Sequence, residues 1–69
     1  MTLEGVVASF DGARGDGTFV SDNEVFYFHC VSIRDGSRSI EVGVRARATR
    51  AVGRLGRDEV VDVQEVRGR

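Results

Sequence analysis

The stretch that most limits how this chain can fold is Glu24-Val25-Phe26-Tyr27-Phe28-His29-Cys30. It carries two of the four Phe and the sole Tyr, His and Cys. Side chains on a β-strand point to opposite faces in turn. Phe26, Phe28 and Cys30 therefore share one face, and Val25, Tyr27 and His29 the other. The all-apolar set is predicted to face a core. The set with polar tips, Tyr27 and His29, is predicted to face solvent. A strand with one buried aromatic face must be covered by other strands, and the rest of the chain supplies them.

No window shows helical periodicity, there is no Pro, and nine Gly punctuate short apolar runs. That pattern marks a small all-β domain. Leu3 to Phe10 reads as the first strand, Asp11 to Gly17 as a Gly-rich loop, and Thr18 to Val20 as the second strand. Ser21-Asp22-Asn23 is a tight turn, because Asx residues tolerate left-handed backbone. After the central strand, Val31-Ser32-Ile33 turns and tucks Ile33 inward, and Arg34 to Ser39 is an exposed polar loop. Glu41 to Val52 reads as a long strand with Val42, Val44, Ala46 and Ala48 on one face and Arg45, Arg47 and Thr49 on the other. Gly53 to Arg57 closes a hairpin. Glu59 to Val66 is the last strand, with Val61 and Val63 inward against Asp62 and Gln64, and Arg67 to Arg69 fray. Five short strands over residues 1–69, with a long connection between the third and fourth, fit a single domain. The expected architecture is a five-stranded antiparallel Greek-key barrel of the OB type. Closure also removes the unpaired edges that a small open sheet would expose.

The composition excludes several alternatives. One Cys closes no internal disulfide, and one His beside one Cys cannot supply the three or four ligands of a zinc site. Alternation sends His29 and Cys30 to opposite faces, so they form no catalytic dyad, and no nucleophile–base set is visible elsewhere. The expectation is a non-enzymatic protein without metal or cofactor. No signal-like or membrane-spanning run is present, which points to the cytoplasm and away from a membrane. Net charge is −1, but it is unevenly spread. Residues 1–33 sum to −4, residues 34–57 to +5 and residues 58–69 to −2. All ten basic residues are Arg. GC-rich codon usage accounts for that, although Arg is also the better phosphate fork and base-stacking cation.

The motifs carry a resemblance. From about Glu4 to Val66 the chain resembles a divergent bacterial cold-shock domain. Gly5-Val6-Val7-Ala8-Ser9-Phe10-Asp11 stands where that family reads Gly-(Lys/Thr)-Val-Lys-Trp-Phe-Asn. Arg14-Gly15-Asp16-Gly17-Thr18-Phe19 matches its first RNA-binding motif, Lys-Gly-(Phe/Tyr)-Gly-Phe-Ile. Phe26-Tyr27-Phe28-His29-Cys30 matches its second, Val-Phe-Val-His-Phe, and Val31-Ser32-Ile33 follows where the family has Ser-Ala-Ile. The resemblance implies an OB-fold that binds single-stranded RNA or DNA on its first three strands, with aromatic rings stacking on bases and cations meeting phosphates.

Carried over position by position, the stacking set is reduced to Phe10, Tyr27 and His29, with Arg14 the one retained cation. Ser9 stands at the family's Trp position, Asp16, Thr18 and Cys30 stand at aromatic positions, and Ala8 replaces a Lys. Arg34 and Arg38, with Arg45 or Arg47, are expected to widen the electrostatic track. Each base–aromatic stack is worth about 1–3 kcal/mol. Losing two of them, with a carboxylate added at Asp16, implies weakened binding. The alternative is a degenerate cold-shock fold used for protein–protein contact or for self-association as a homodimer. Such contact would pair the acidic sheet with the Arg-rich segment. A continuous positive track past Tyr27 would favour the first reading.

Overall fold

In the computed structural model, which describes residues 2–34, 36, 39–52 and 58–66, five strands close into a barrel. They are β1 (Thr2–Asp11), β2 (Asp16–Ser21), β3 (Glu24–His29), β4 (Arg45–Val52) and β5 (Asp58–Glu65), with one 3₁₀ turn at Cys30–Ser32. The order around the barrel is β1-β2-β3-β5-β4. Neighbours run antiparallel except at the β3–β5 seam, where Tyr27 lies opposite Glu59 in parallel pairing. The all-β, OB-like barrel expected from the sequence is the fold found.

The β2–β3 hairpin fixes the register of the face that matters. Asp22 and Asn23 are its two turn residues, at φ 52° and 64°. Two successive left-handed residues make a tight turn whose twist matches that of the flanking strands. Counting back from Ser21 opposite Glu24 puts Val20 beside Val25, Thr18 beside Tyr27 and Asp16 beside His29. Phe19, Phe26 and Phe28 then enter the core with Val7, Ile33, Ala46, Ala48, Val60 and Val63. Ser21 is buried with them, and its hydroxyl donates to the Glu4 carbonyl at 2.7 Å.

Two irregularities shift the alternation. Val7 and Ser9 pair with the adjacent residues Phe19 and Thr18, so Ala8 is an extra residue in β1. A bulge of this kind turns the following side chain over. Ala8 and Ser9 both face outward, while Phe10 is half-buried and packs on the core. In β5 the residues Asp62 and Val63 together oppose Ala48 of β4, and Asp62 has φ 53°. The valine that joins Val63 in the core is consequently Val60. Val61, expected inward, is only half-buried.

Three expected boundaries move. The Gly-rich loop is shorter than Asp11 to Gly17, because Asp16 and Gly17 already belong to β2. The long strand from Glu41 begins only at Arg45. Gly43 takes φ 95° in a turn, which leaves Val42 59% exposed. The Gly43 and Val44 backbone nonetheless bonds to Val7, with Gly43 N–H donating to the Val7 carbonyl and Val7 N–H to the Val44 carbonyl. Cys30 leaves the strand for the 3₁₀ turn. It is half-buried and packs against the core, and its N–H donates to the Gly15 carbonyl at 2.7 Å. Ile33 turns inward as expected and bridges to Val63. The expected hairpin at Gly53 to Arg57, much of the 34–39 loop and the last three residues lie outside the described residues.

Candidate nucleic-acid interface

The outer surface of β1, β2 and β3 is built in three rows across the strands. The first is aliphatic: Val6, Val20 and Val25. The second is Ser9, Thr18 and Tyr27, and the third is Asp11, Asp16 and His29. Successive rows are two residues apart along β2, or about 7 Å, whereas on β1 Val6 and Ser9 are three apart because Ala8 is the extra residue. Val6 is 40%, Val25 53% and Tyr27 43% exposed. Solvent therefore reaches a surface that grades from aliphatic through aromatic and hydroxyl to charged.

Hydrogen bonds stiffen the polar half. Ser9 Oγ and Thr18 Oγ1 share a 2.6 Å hydrogen bond across β1 and β2. Asp11 Oδ1 accepts from the backbone N–H groups of Ala13 and Arg14, and the Asp11 carbonyl accepts from Gly15 N–H. Gly15 completes this turn at φ 77°. A Cβ there would stand 3.1 Å from Cys30 Sγ, so the turn needs glycine on both counts. The result aims Arg14 back across the face, where Nη2 meets Asp16 Oδ2 at 3.1 Å. The Arg14 side chain is 73% exposed and that of Asp16 32%. An ion pair this open contributes at most about 1 kcal/mol to stability; its consequence is positional.

A cavity of about 200 Å³ opens here, lined by Ser9, Asp11, Arg14, Asp16, Thr18, Tyr27 and His29 over a floor of Gly17 and Phe28. A larger hollow of about 360 Å³ lies against Ile33, Ile40 and Val63, beside Arg34 and Glu65. It has no aromatic ring in its wall, so it offers nothing for a base to stack on.

The residues expected to bind are only partly brought together. Arg14, Tyr27 and His29 share the small cavity. Phe10 does not line it: half-buried, it packs on the core with its ring stacked on Phe28 at 6.1 Å between centroids and 12° between planes. Arg34 is elsewhere: its N–H donates to the Val63 carbonyl, and its guanidinium reaches Gln64 Oε1 at 3.4 Å. Arg38 lies outside the described residues. On β4, Arg47 meets Glu4 at 2.9 Å and Arg45 approaches the same carboxylate at 3.8 Å. Arg50 meets Asp58 and covers the Phe26 ring. Arg45 also flanks Val6 across β1 and β4. Among the described residues no continuous positive track passes Tyr27. Its cross-strand neighbours are Thr18 and Glu59.

Sequence reasoning passed over the Ser9–Thr18 hydroxyl pair, the aliphatic row, and Glu59 at the seam. The two-residue turn makes recoverable only the β2–β3 part, Thr18 beside Tyr27 and Val20 beside Val25; the β1 partners Ser9 and Val6 are not, because the extra residue Ala8 shifts that pairing. The seam is not, because parallel pairing leaves no local signal.

No family model matches the chain, and no curated protein is significantly similar to it. The likeness to the cold-shock family accordingly rests on the quoted motifs together with the barrel. Among the described residues no helix is long and apolar enough to cross a membrane.

Proposed function

We propose that this protein is a binding module, not an enzyme, whose β1–β2–β3 face holds single-stranded RNA or DNA in the cytoplasm by stacking bases on Tyr27 and His29. The observation that carries this reading is the pair of exposed rings two residues apart on β3, opening onto a cavity bordered by Arg14. Adjacent stacking platforms of this kind suit unpaired bases, because every base has a π-face. The resemblance to cold-shock domains supports the same conclusion.

The electrostatics set the character of the binding. Arg14 serves the cavity and Arg45 borders the aliphatic row, so one or two phosphates are neutralised. For single strands the logarithm of affinity falls with the logarithm of salt by about 0.7 per phosphate contact. The expected slope is thus between about −0.7 and −1.4, well short of a strongly basic binder. Titrating a labelled single-stranded oligonucleotide at several salt concentrations measures it. Tyr27→Ala should weaken binding roughly 5- to 150-fold, the equivalent of one base stack of about 1–3 kcal/mol. No binding at low salt, or binding indifferent to Tyr27→Ala, would overturn the proposal.

The row of Val6, Val20 and Val25, together with the lack of a continuous positive track past Tyr27 among the described residues, favours a second reading, contact with another copy or another protein. A monomer by sedimentation at high concentration counts against it.

A further inference from the structure

We infer that Asp16, held by Arg14, makes this face select guanine in the strand it binds. The inference rests on the single-strand reading above and adds base preference to it. A carboxylate on the stacking face is a liability for phosphates but an asset for base edges. In the unfolded loop of a single strand the Watson–Crick edge is open to side chains. Asp16 and His29 are cross-strand neighbours, so a base stacked on the His29 ring can turn an edge across the sheet, from β3 to β2, to meet the carboxylate. The Arg14 contact engages Oδ2 alone. An ionised carboxylate has about four acceptor sites and no donor, so Asp16 keeps acceptor capacity while Arg14 presents its remaining N–H groups beside it.

That pattern is acceptor next to donor. Guanine offers the complement: N1–H and the N2 amine can both donate to Asp16, while O6 accepts from Arg14. Thymine and uracil offer a single N–H between two carbonyls, and two carbonyls against a carboxylate repel. Adenine offers one amine. Cytosine, with one amine and two acceptors, is the nearest competitor. The cavity, at about 200 Å³, falls below the roughly 300 Å³ at which drug-sized ligand pockets begin, a scale that fits a single base. The backbone phosphates then pass on the Arg45 flank and avoid the Asp11–Asp16 row.

The test compares a short all-thymine DNA strand with the same strand carrying guanine, inosine or cytosine at one interior position. Guanine should bind roughly 5- to 150-fold tighter than thymine, the range of a good bidentate contact. Inosine, which keeps N1–H and O6 but lacks the amine, should lose part of that gain. Asp16→Asn should bring the guanine-to-thymine affinity ratio close to one, whatever it does to the affinity of either strand alone. Equal binding of the guanine and thymine strands, or a guanine preference that survives Asp16→Asn, overturns the inference. The inosine comparison needs no variant: inosine bound as tightly as guanine overturns the inference even if Asp16→Asn folds poorly. Failure of every strand to bind removes the single-strand reading itself, a result distinct from binding without discrimination.

Discussion

Phe19→Ala should leave this protein largely unfolded at 25 °C. Phe19 is fully buried between the two halves of the barrel, its ring tilted at 55° to that of Phe26 with 6.4 Å between centroids. Truncating a buried Phe costs about 3–5 kcal/mol, from lost transfer free energy and from the cavity left behind. In a chain of 69 residues a single core rarely supplies more than about 3–5 kcal/mol of net stability, so the loss matches the total. No disulfide is available to offset the loss. Urea unfolding followed by far-UV circular dichroism should show the midpoint collapse toward zero denaturant. A loss below about 1.5 kcal/mol would mean that Phe19 does not sit where the barrel puts it.

Gly17→Ala should damage the fold and the binding face together. Gly17 is buried where β1 passes over β2, opposite Phe10. An added Cβ would collide with the Ser9 carbonyl oxygen and come within 2.9 Å of Phe28 Cζ and 3.1 Å of Phe10 Cα. Two of those three atoms are backbone, so relief requires β1 to lift away. Overpacking of this kind costs about 1–3 kcal/mol. In a domain this small each kcal/mol lowers the melting temperature by about 4–8 °C. The same displacement would separate Ser9 from Thr18 and break the floor under Tyr27, so oligonucleotide affinity should fall along with Tm. An unchanged melting temperature would contradict the close approach.

The alternation of Val25 to His29 was legible in the sequence because one face is wholly apolar, and with it came the barrel and the outward set of Tyr27 and His29. What stayed hidden were the departures from alternation. Nothing in Val7-Ala8-Ser9 marks Ala8 as an extra residue, yet that bulge decides that Phe10 packs on Phe28. Asp62 likewise has no local reason to be left-handed; the pairing with β4 imposes it, and Val60 replaces Val61 in the core as a result. Val42 fitted the period of the following strand, but Gly43 beside it was free to turn. The Arg-rich segment read as a track because its charges are close in sequence. In space Arg34 goes to β5, while Arg45 and Arg47 on β4 meet Glu4 of β1. Charge summed along a chain does not give charge summed over a face.

The central claim is that bases stack on Tyr27, and the chain offers a direct reporter. Tyr27 is its only tyrosine and it has no tryptophan, so intrinsic fluorescence comes from the proposed contact itself. Adding a short single-stranded oligonucleotide at low salt should quench that emission to saturation, the corresponding duplex should leave it nearly unchanged, and moderate salt should weaken the effect only slightly. Emission that stays constant under the single strand, or that falls equally with the duplex, would contradict the account.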